Sequence, residues 1–265
     1  MSDFKDAFEA GLGFDRVFNV EGGPIVVLKE GEQAVPVADL IDKLQPAPRR
    51  KTGHPSFLTA DSFAAYVTAH KAAGTVLFGD RDRASVVAVI DHHSTGTPGW
   101  KEHRATLKLE LERRWVDWTK LDRQLAGQEK FVEFLEDHKA DIASPDAAEL
   151  IEVCTALRGK KGVEWASGID LQTGAIQLSY QETLEATSAR KGTIEVPARL
   201  ALGLKVYRGQ AAYRVDARLR WRITEGKLGF IVVLDSPDDV LDAAFADVVE
   251  GIGKATELPV LFGAP

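Results

Sequence analysis

The sequence contains a single cysteine, Cys154, and no long apolar segment. One cysteine excludes an internal disulfide framework and suits a reducing compartment. The longest apolar runs, such as 230–234, are too short to span a bilayer, and the first residues lack the basic and apolar regions of a secretory signal. We therefore expect a cytoplasmic protein that makes no contact with a membrane.

Sequence motifs of the common enzyme classes are also missing. The chain has no GxxxxGK[ST] phosphate loop, no GxGxxG after a predicted strand and no GxSxG nucleophile elbow. One cysteine cannot provide the ligand spacing of a structural zinc site. We therefore favour a protein that is not an enzyme, and we predict no cofactor and no catalytic residue.

The composition is that of an ordinary globular protein. Of 265 residues, 45% are hydrophobic and 28% are charged, and the formal net charge is −7. A negative chain is not expected to bind nucleic acid over its whole surface. A local basic surface remains compatible with this charge.

The sequence predicts two regions, residues 1–47 and residues 48–265. Residues 1–47 contain a strand at 25–28 and a helix at 37–44, and we expect this N-terminal segment to be loosely attached or to contact another subunit. The basic, proline-containing stretch 45–51 predicts a stiff linker. Residues 48–265 are expected to form one compact unit, with two sub-halves as an alternative.

Hydrophobic periodicity predicts the elements of this larger region. Thr59 is placed to cap a helix that ends near Gly74, and Ser144 and Ser236, each followed by proline, predict two further helix starts. Period-two alternation predicts strands, at 75–78, 85–90, 105–111, 176–181, 193–196, 202–207, 213–223 and 228–234. The last helix should end at Gly253. The fold class is therefore α+β, with a mainly antiparallel sheet, helices packed on one face and a long C-terminal helix.

Six acidic and imidazole side chains form a candidate metal site. They lie near the ends of predicted neighbouring strands: Asp80, Asp82, Asp91, His92, His93 and His103. Carboxylates and imidazoles are the usual ligands of magnesium, manganese and zinc. The alternative, which we favour, is a solvated turn beside structural histidines, because arginines separate the acids and adjacent strand residues point to opposite faces.

One predicted strand carries four arginines on a single face. Arg214, Arg218, Arg220 and Arg222 alternate with apolar residues, so they could contact the phosphates of a nucleic acid or a nucleotide. The local alternative, which we favour from sequence, is that glutamates of neighbouring strands neutralise them across the sheet. The candidate partners are Glu182, Glu185 and Glu195. Three tyrosines could stack on bases if they share the arginine face, namely Tyr180, Tyr207 and Tyr213.

A series of short segments resembles the YfdQ-like family of phage and prophage proteins. These segments occur in order from residue 48 to the end of the chain: 59–63 (TADSF), 65–67 (AYV), 79–82 (GDRD), 89–93 (VIDHH), Trp100, 103–105 (HRA), 166–169 (ASGI), 191–197 (KGTIEVP), 211–215 (AAYRV), 217–220 (ARLR) and 258–263 (LPVLFG). The resemblance implies an intracellular protein of a temperate phage, often encoded among early genes for replication and recombination. It implies no activity and no catalytic residue.

Three functions follow from these observations. The leading hypothesis is a non-enzymatic, self-assembling early phage protein that binds a host or phage partner, with the apolar tail 258–262 as a contact. The second is binding of single-stranded nucleic acid or a nucleotide by the arginine face. The third is a metal-dependent phosphoesterase that uses the acidic and histidine cluster. A homo-oligomer is the expected state in the first case.

Overall fold

The computed structural model describes residues 17–20, 23–26, 47–48, 50–156, 163–169, 176–182, 190–224 and 227–265. The chain forms two compact units, residues 1–51 and residues 52–265. In the first unit, β1 (Val17–Val20) pairs antiparallel with β2 (Gly23–Val26). The predicted helix at 37–44 lies outside the described residues.

The second unit contains five α-helices and thirteen strands within its described part. The helices are α1 (Ala60–His70), α2 (Arg113–Leu121), α3 (Gln128–Asp137), α4 (Ala147–Ala156) and α5 (Pro237–Thr256). The strands are β3 (Ser56–Phe57), β4 (Val76–Asp80), β5 (Ser85–Val89), β6 (Arg104–Lys108), β7 (Leu125–Gly127), β8 (Ile142–Ser144), β9 (Val163–Ile169), β10 (Ile176–Glu182), β11 (Arg190–Val196), β12 (Arg199–Lys205), β13 (Ala212–Thr224), β14 (Lys227–Leu234) and β15 (Val260–Phe262).

A five-stranded sheet with the order β15-β4-β5-β6-β3 forms one side of the core. The meander of β4, β5 and β6 is antiparallel, as the alternation predicts, whereas β3 and β15 are parallel to their neighbours at the two edges. Helices α1 and α5 pack against each other beside this sheet, and they bury residues such as Phe63 and Phe245. Removal of these aromatic side chains from water contributes about 2 kcal/mol each.

A second five-stranded sheet has the order β7-β14-β13-β12-β8 and is antiparallel throughout. Helices α2 and α3 pack on its apolar face, where the rings of Phe131 and Phe230 stack at 4.8 Å. Strands β9, β10 and β11 form a separate three-stranded antiparallel sheet. One hydrophobic cluster includes buried residues from both five-stranded sheets. The predicted α+β class, the mainly antiparallel pairing and the long C-terminal helix are therefore confirmed.

The predicted helix ends are partly wrong. Thr59 caps α1, as predicted, by accepting a hydrogen bond from the Ser62 N–H. At α4, however, Asp146 accepts the N–H bonds at the first turn, because Ser144 belongs to β8. Ser236 adopts a left-handed conformation with φ 46° and makes no side-chain cap bond.

Helix α5 continues past the predicted stop at Gly253 to Thr256. The reason is tertiary, since Thr256 is fully buried. Its hydroxyl also donates to the Ile252 carbonyl within the helix. None of the helices in the described ranges has the length and apolar character needed to cross a membrane.

A buried carboxylate joins α2 to the chain that follows α3. Asp141 is 3% exposed, and it accepts hydrogen bonds from Arg114 Nη1 at 2.7 Å and from Trp118 Nε1 at 3.1 Å. Trp118 is itself fully buried. Loss of the carboxylate would leave the indole N–H without its partner inside the core, which is costly for any buried donor.

We therefore expect Asp141→Ala to lower the free energy of unfolding by about 2–4 kcal/mol, because it removes the buried carboxylate of an ion pair with the half-exposed Arg114 and leaves a buried indole donor unpaired. Urea denaturation followed by circular dichroism measures this change. Glu133→Ala, which removes an exposed carboxylate from α3, is the control and should change stability by less than about 0.5 kcal/mol. Equal effects of the two substitutions would contradict the assigned role of Asp141.

Candidate functional site

The outer face of β13 carries four exposed arginines: Arg214, Arg218, Arg220 and Arg222. Between them, Val215, Ala217 and Leu219 are each 1% exposed and point into the core. Successive side chains of a strand point to opposite faces, so burial of the apolar set places the guanidinium groups together on the solvent side. We call this surface the arginine face.

Two of the three glutamates expected to neutralise the arginine face, Glu182 and Glu195, do not lie on neighbouring strands. The neighbours of β13 are β12 and β14. Glu182 lies on β10 and Glu195 on β11, which belong to the separate three-stranded sheet, and Glu185 lies outside the described residues. The predicted cross-strand pairing with Glu182 and Glu195 is therefore wrong.

Two aspartates on the same face are the actual partners of two of the arginines. Arg214 Nε lies 3.0 Å from Asp216 Oδ1, and Arg218 Nε lies 3.0 Å from Asp235 Oδ1. All four side chains are substantially exposed, so each pair contributes at most about 1 kcal/mol to stability. Each pair orients a guanidinium group through its Nε and leaves the terminal nitrogens for another acceptor.

Three further arginines make the face strongly cationic. Arg220 and Arg222 form no ion pair with any residue whose side chain the structure describes. Arg199, which the sequence analysis did not select, lies on β12 directly opposite Arg218. Like charges directly opposite each other destabilise a sheet. This arrangement therefore favours an anion on the face over a role in folding.

An apolar strip borders the cationic row. On the neighbouring strands, Ile231 is opposite Arg220, and Leu125 of β7 is opposite Ile231. Leu125 is 50% exposed. Its side chain lies over Gly229, because a Cβ atom added to this glycine would be only 2.8 Å from Leu125 Cδ1. The face therefore offers both positive charge and an apolar contact surface.

Two of the three tyrosines considered for base stacking, Tyr207 and Tyr213, do not contribute to this face. Tyr207 is 1% exposed. Tyr213 has the opposite parity from the arginines and donates a hydrogen bond to Asp247 of α5. Burial, together with the carboxylate of Asp247, raises the pKa of Tyr213 to about 12. The side chain of Tyr180 lies outside the described residues.

Asp91 of the candidate metal set has a structural partner. Its two carboxylate oxygens accept hydrogen bonds from the N–H groups of His103 at 2.9 Å and Glu102 at 3.0 Å. Burial opposes ionisation, but these backbone donors outweigh it, so the pKa of Asp91 lies below its ordinary value of 3.8. The carboxylate thus holds the loop 91–103 closed.

The acidic members of the set contact arginines. Asp80 accepts a hydrogen bond from the Arg83 N–H, and Asp82 pairs with Arg81, which also pairs with Asp242 of α5. Asp80 and Asp82 therefore contact the arginines that alternate with them in the sequence.

The histidines of the set have separate surroundings. His93 Nδ1 accepts a hydrogen bond from the Gly99 N–H at 2.8 Å, and His92 lies beside it with the ring centroids 5.1 Å apart. His103 is 4% exposed and lies 2.8 Å from the Tyr66 hydroxyl, with the ring of His70 at 5.6 Å. Within the described ranges, no three His, Cys, Asp or Glu side chains are grouped so that they could hold a metal ion.

Two features among the candidate residues depend on contacts between segments far apart in the sequence. The contact of Tyr66 and His70 with His103 joins residues far apart in the chain. The position of Arg199 beside the arginine face depends on the pairing of β12 with β13. Arg199 does have one local signal, because it precedes the alternation of leucines with small residues at 200–204.

The chain matches a known family model. A family model described as "Uncharacterized conserved protein (DUF2303)" matches residues 12–265. No curated protein and no solved structure matches the chain. The family match includes most of the N-terminal segment, which carries none of the landmark segments found from residue 48 onward.

The role of Asp91 predicts an acid-dependent loss of stability. Asp91→Asn should lower the free energy of unfolding at neutral pH by about 1–2 kcal/mol, because an amide nitrogen cannot accept the second backbone hydrogen bond. The folded-state pKa is below the unfolded value, so the stabilisation is present above pH 3.8 and is lost as the pH falls through the folded-state pKa. Urea titrations from neutral to acid pH measure the difference.

The control for Asp91 is Asp137→Asn at the exposed end of α3, which should change stability little at any pH. An unchanged gap between wild type and Asp91→Asn at pH values well below 3.8 would contradict the assignment.

Proposed function

Since the chain belongs to the family of uncharacterized conserved proteins (DUF2303), we propose a function from its site, namely binding of single-stranded nucleic acid by the arginine face. The observation that carries the proposal is the row of exposed guanidinium groups on β13, two of them without an ion-pair partner among the described side chains. Such groups suit phosphates because their planar donors can bind two oxygens at once.

The spacing of the row supports contact with a nucleic acid backbone. Alternate residues of a strand are about 6.7 Å apart, so the arginines present a regular series of cations along β13. A nucleic acid that contacts them releases condensed counterions, and this release supplies affinity without base recognition. Because the whole chain has a net charge of −7, which repels nucleic acid, we expect such contact only at this local surface.

The apolar strip supports a single strand over a duplex. In a duplex the bases are stacked inside, and the phosphates alone would meet the sheet. In a single strand, the unstacked bases can lie on Ile231 and Leu125 while the phosphates contact the arginines. Aliphatic contacts are weaker than the aromatic stacking used by many single-strand binders. The proposal therefore predicts moderate affinity that depends strongly on salt.

The resemblance to YfdQ-like phage and prophage proteins belongs to the same proposal. Single strands are exposed during replication and recombination, and the resemblance implies early genes for those processes. We propose that the protein acts there, in the host cytoplasm. The support is the ordered series of landmark segments, which includes 217–220 and most of 211–215 on β13 itself.

Self-association is a second candidate function, favoured by the C-terminal edge of the first sheet. Strand β15 is an edge strand of that sheet, and Leu261 and Phe262 are 50% and 70% exposed. An edge strand presents unpaired backbone groups that can pair with another chain. Two copies of β15 related by a twofold axis would cover both apolar side chains.

Removal of Arg220 and Arg222 tests nucleic acid binding. We expect Arg220→Ala with Arg222→Ala to weaken binding of a thymidine oligonucleotide by about tenfold or more at low salt. The slope of log K against log salt should fall by about 1.4, since each phosphate contact with a single strand contributes about 0.7. Fluorescence anisotropy over a series of salt concentrations gives both quantities.

The matched control for this variant is Arg83→Ala with Arg113→Ala. It removes the same charge from exposed positions on the β4–β5 turn and at the start of α2, away from the arginine face. If both double variants lose the same affinity and the same salt slope, the binding is not localised on β13. Unchanged binding by Arg220→Ala with Arg222→Ala would overturn the proposal.

Replacement of Phe262 tests self-association. If β15 pairs with a second β15, Phe262→Glu should convert the assembly to a monomer, because charged carboxylates would replace apolar side chains at the contact. Multi-angle light scattering measures the mass. Leu58→Glu, at a position 69% exposed beside the opposite edge strand β3, should leave the mass unchanged. A wild-type protein that is monomeric at micromolar concentration would exclude this candidate.

A further inference from the structure

A small cavity opens on the arginine face where strands β8, β12 and β13 meet. Its volume is about 190 Å³, and the polar and small residues around it are Ser144, Arg199, Ala201, Arg214, Asp216 and Asp235. Ala201 is opposite both Ser144 and Asp216 in the strand register, and it is 7% exposed. A methyl side chain in the middle of this row of residues leaves the space that larger side chains would fill.

The charged groups around the cavity come from adjacent rows of the sheet. Asp235 lies beside Asp216 on the side away from Ala201, since the Asp235 N–H donates to the Asp216 carbonyl at 2.8 Å. Arg199 precedes Ala201 by two residues on β12, and Arg214 lies opposite Gly203, two residues after Ala201. The cavity therefore has two carboxylates at one end and guanidinium groups on both flanks, and it can both accept and donate hydrogen bonds.

The ion pairs at the cavity leave bonding capacity on both partners. Asp216 and Asp235 each contact an arginine Nε through Oδ1. For each of these carboxylates, Oδ2 has no hydrogen-bond partner among the described residues. A bidentate pair would have used both oxygens and two nitrogens. The contacts thus hold the groups in place for a ligand.

We propose that this cavity binds one guanine base, an inference that rests on the proposed function. Guanine presents two adjacent donors, N1–H and the N2 amino group, which match a carboxylate. On another edge it presents two adjacent acceptors, O6 and N7, which match a guanidinium group. The cavity offers both groups within one space. Adenine has no carbonyl acceptor, and thymine has one ring donor between two acceptors.

The size of the cavity agrees with one base rather than a whole nucleotide. Sites for drug-sized ligands measure about 300–1,000 Å³, and this cavity is smaller. A planar base fits this scale, while the sugar and phosphate would remain outside beside the arginines of β13. The arginine face then supplies affinity, and the cavity adds a preference for sequence.

Titration with the four deoxynucleoside monophosphates tests the cavity, because these probes share one phosphate and differ only in the base. We expect isothermal titration calorimetry at low salt to show deoxyguanosine monophosphate binding about tenfold more tightly than the other three, the discrimination of one good bidentate contact. Asp216→Asn should remove the preference, since the amide replaces an acceptor by a donor. Ala201→Leu should remove it by filling the cavity while every charge remains.

The control is Gly203→Ala, which adds a methyl group on the same strand where nothing lies within 4 Å of the new Cβ. It should keep the guanine preference. Circular dichroism verifies the fold of each variant, and Asp216→Asn carries the test if Ala201→Leu does not fold. Equal affinity of the wild type for all four monophosphates would overturn the guanine site, as would a preference that survives both substitutions.

Oligonucleotide binding separates this inference from the proposed function. If Arg220→Ala with Arg222→Ala weakens binding of a thymidine oligonucleotide while the four monophosphates bind equally, the nucleic acid function stands and the guanine site fails. If no oligonucleotide binds but deoxyguanosine monophosphate is preferred, the site binds a free guanine nucleotide and the single-strand proposal fails.

Discussion

The register of β13 in its sheet is the constraint on which the rest of the site depends. Val215, Ala217 and Leu219 are buried, and their removal from water holds the strand in one orientation. A shift by one residue would turn the arginines into the core and the apolar side chains to solvent. Because charged groups are far more costly to bury than apolar groups are to expose, this slip is excluded. The cationic surface is thus a direct consequence of the packing of α2 and α3 on the opposite face.

The arginine face is only partly neutralised by carboxylates. Full neutralisation by carboxylates would stabilise the sheet but leave nothing for an anionic ligand. In the structure, Asp216 and Asp235 each pair with one arginine by a single contact, and Arg199 lies opposite Arg218. Exposed pairs of this kind contribute little to folding. Their effect is to orient the guanidinium groups, which would lower the entropy lost on binding of the proposed ligand.

Local sequence patterns predicted the helices and strands, whereas contacts between residues far apart in the sequence could not be predicted. The alternation of β13 and the cap of α1 depend on neighbouring residues, so both were predictable. The sheet that contains β13 could not be deduced, because nothing local decides between β12 and β11 as a neighbour. For this reason Glu182 and Glu195 were wrongly expected beside the arginines. The error at Ser144 has the same origin, since its pairing with Ala201 of β12 makes it a strand residue and leaves capping to Asp146.

Strand β12 has large apolar residues on its buried face and small residues on its outer face. Leu200, Leu202 and Leu204 line its buried face, while its outer face has Ala201 and Gly203 at the centre. Alanine and glycine are depleted in strands because they add little cross-strand packing. Their use beside a row of arginines therefore departs from what sheet stability favours, and such departures are expected where a site needs space. Under the proposed function, the charges of β13 and the small residues of β12 are complementary, since the first would attract an anionic chain and the second would leave room for one of its bases.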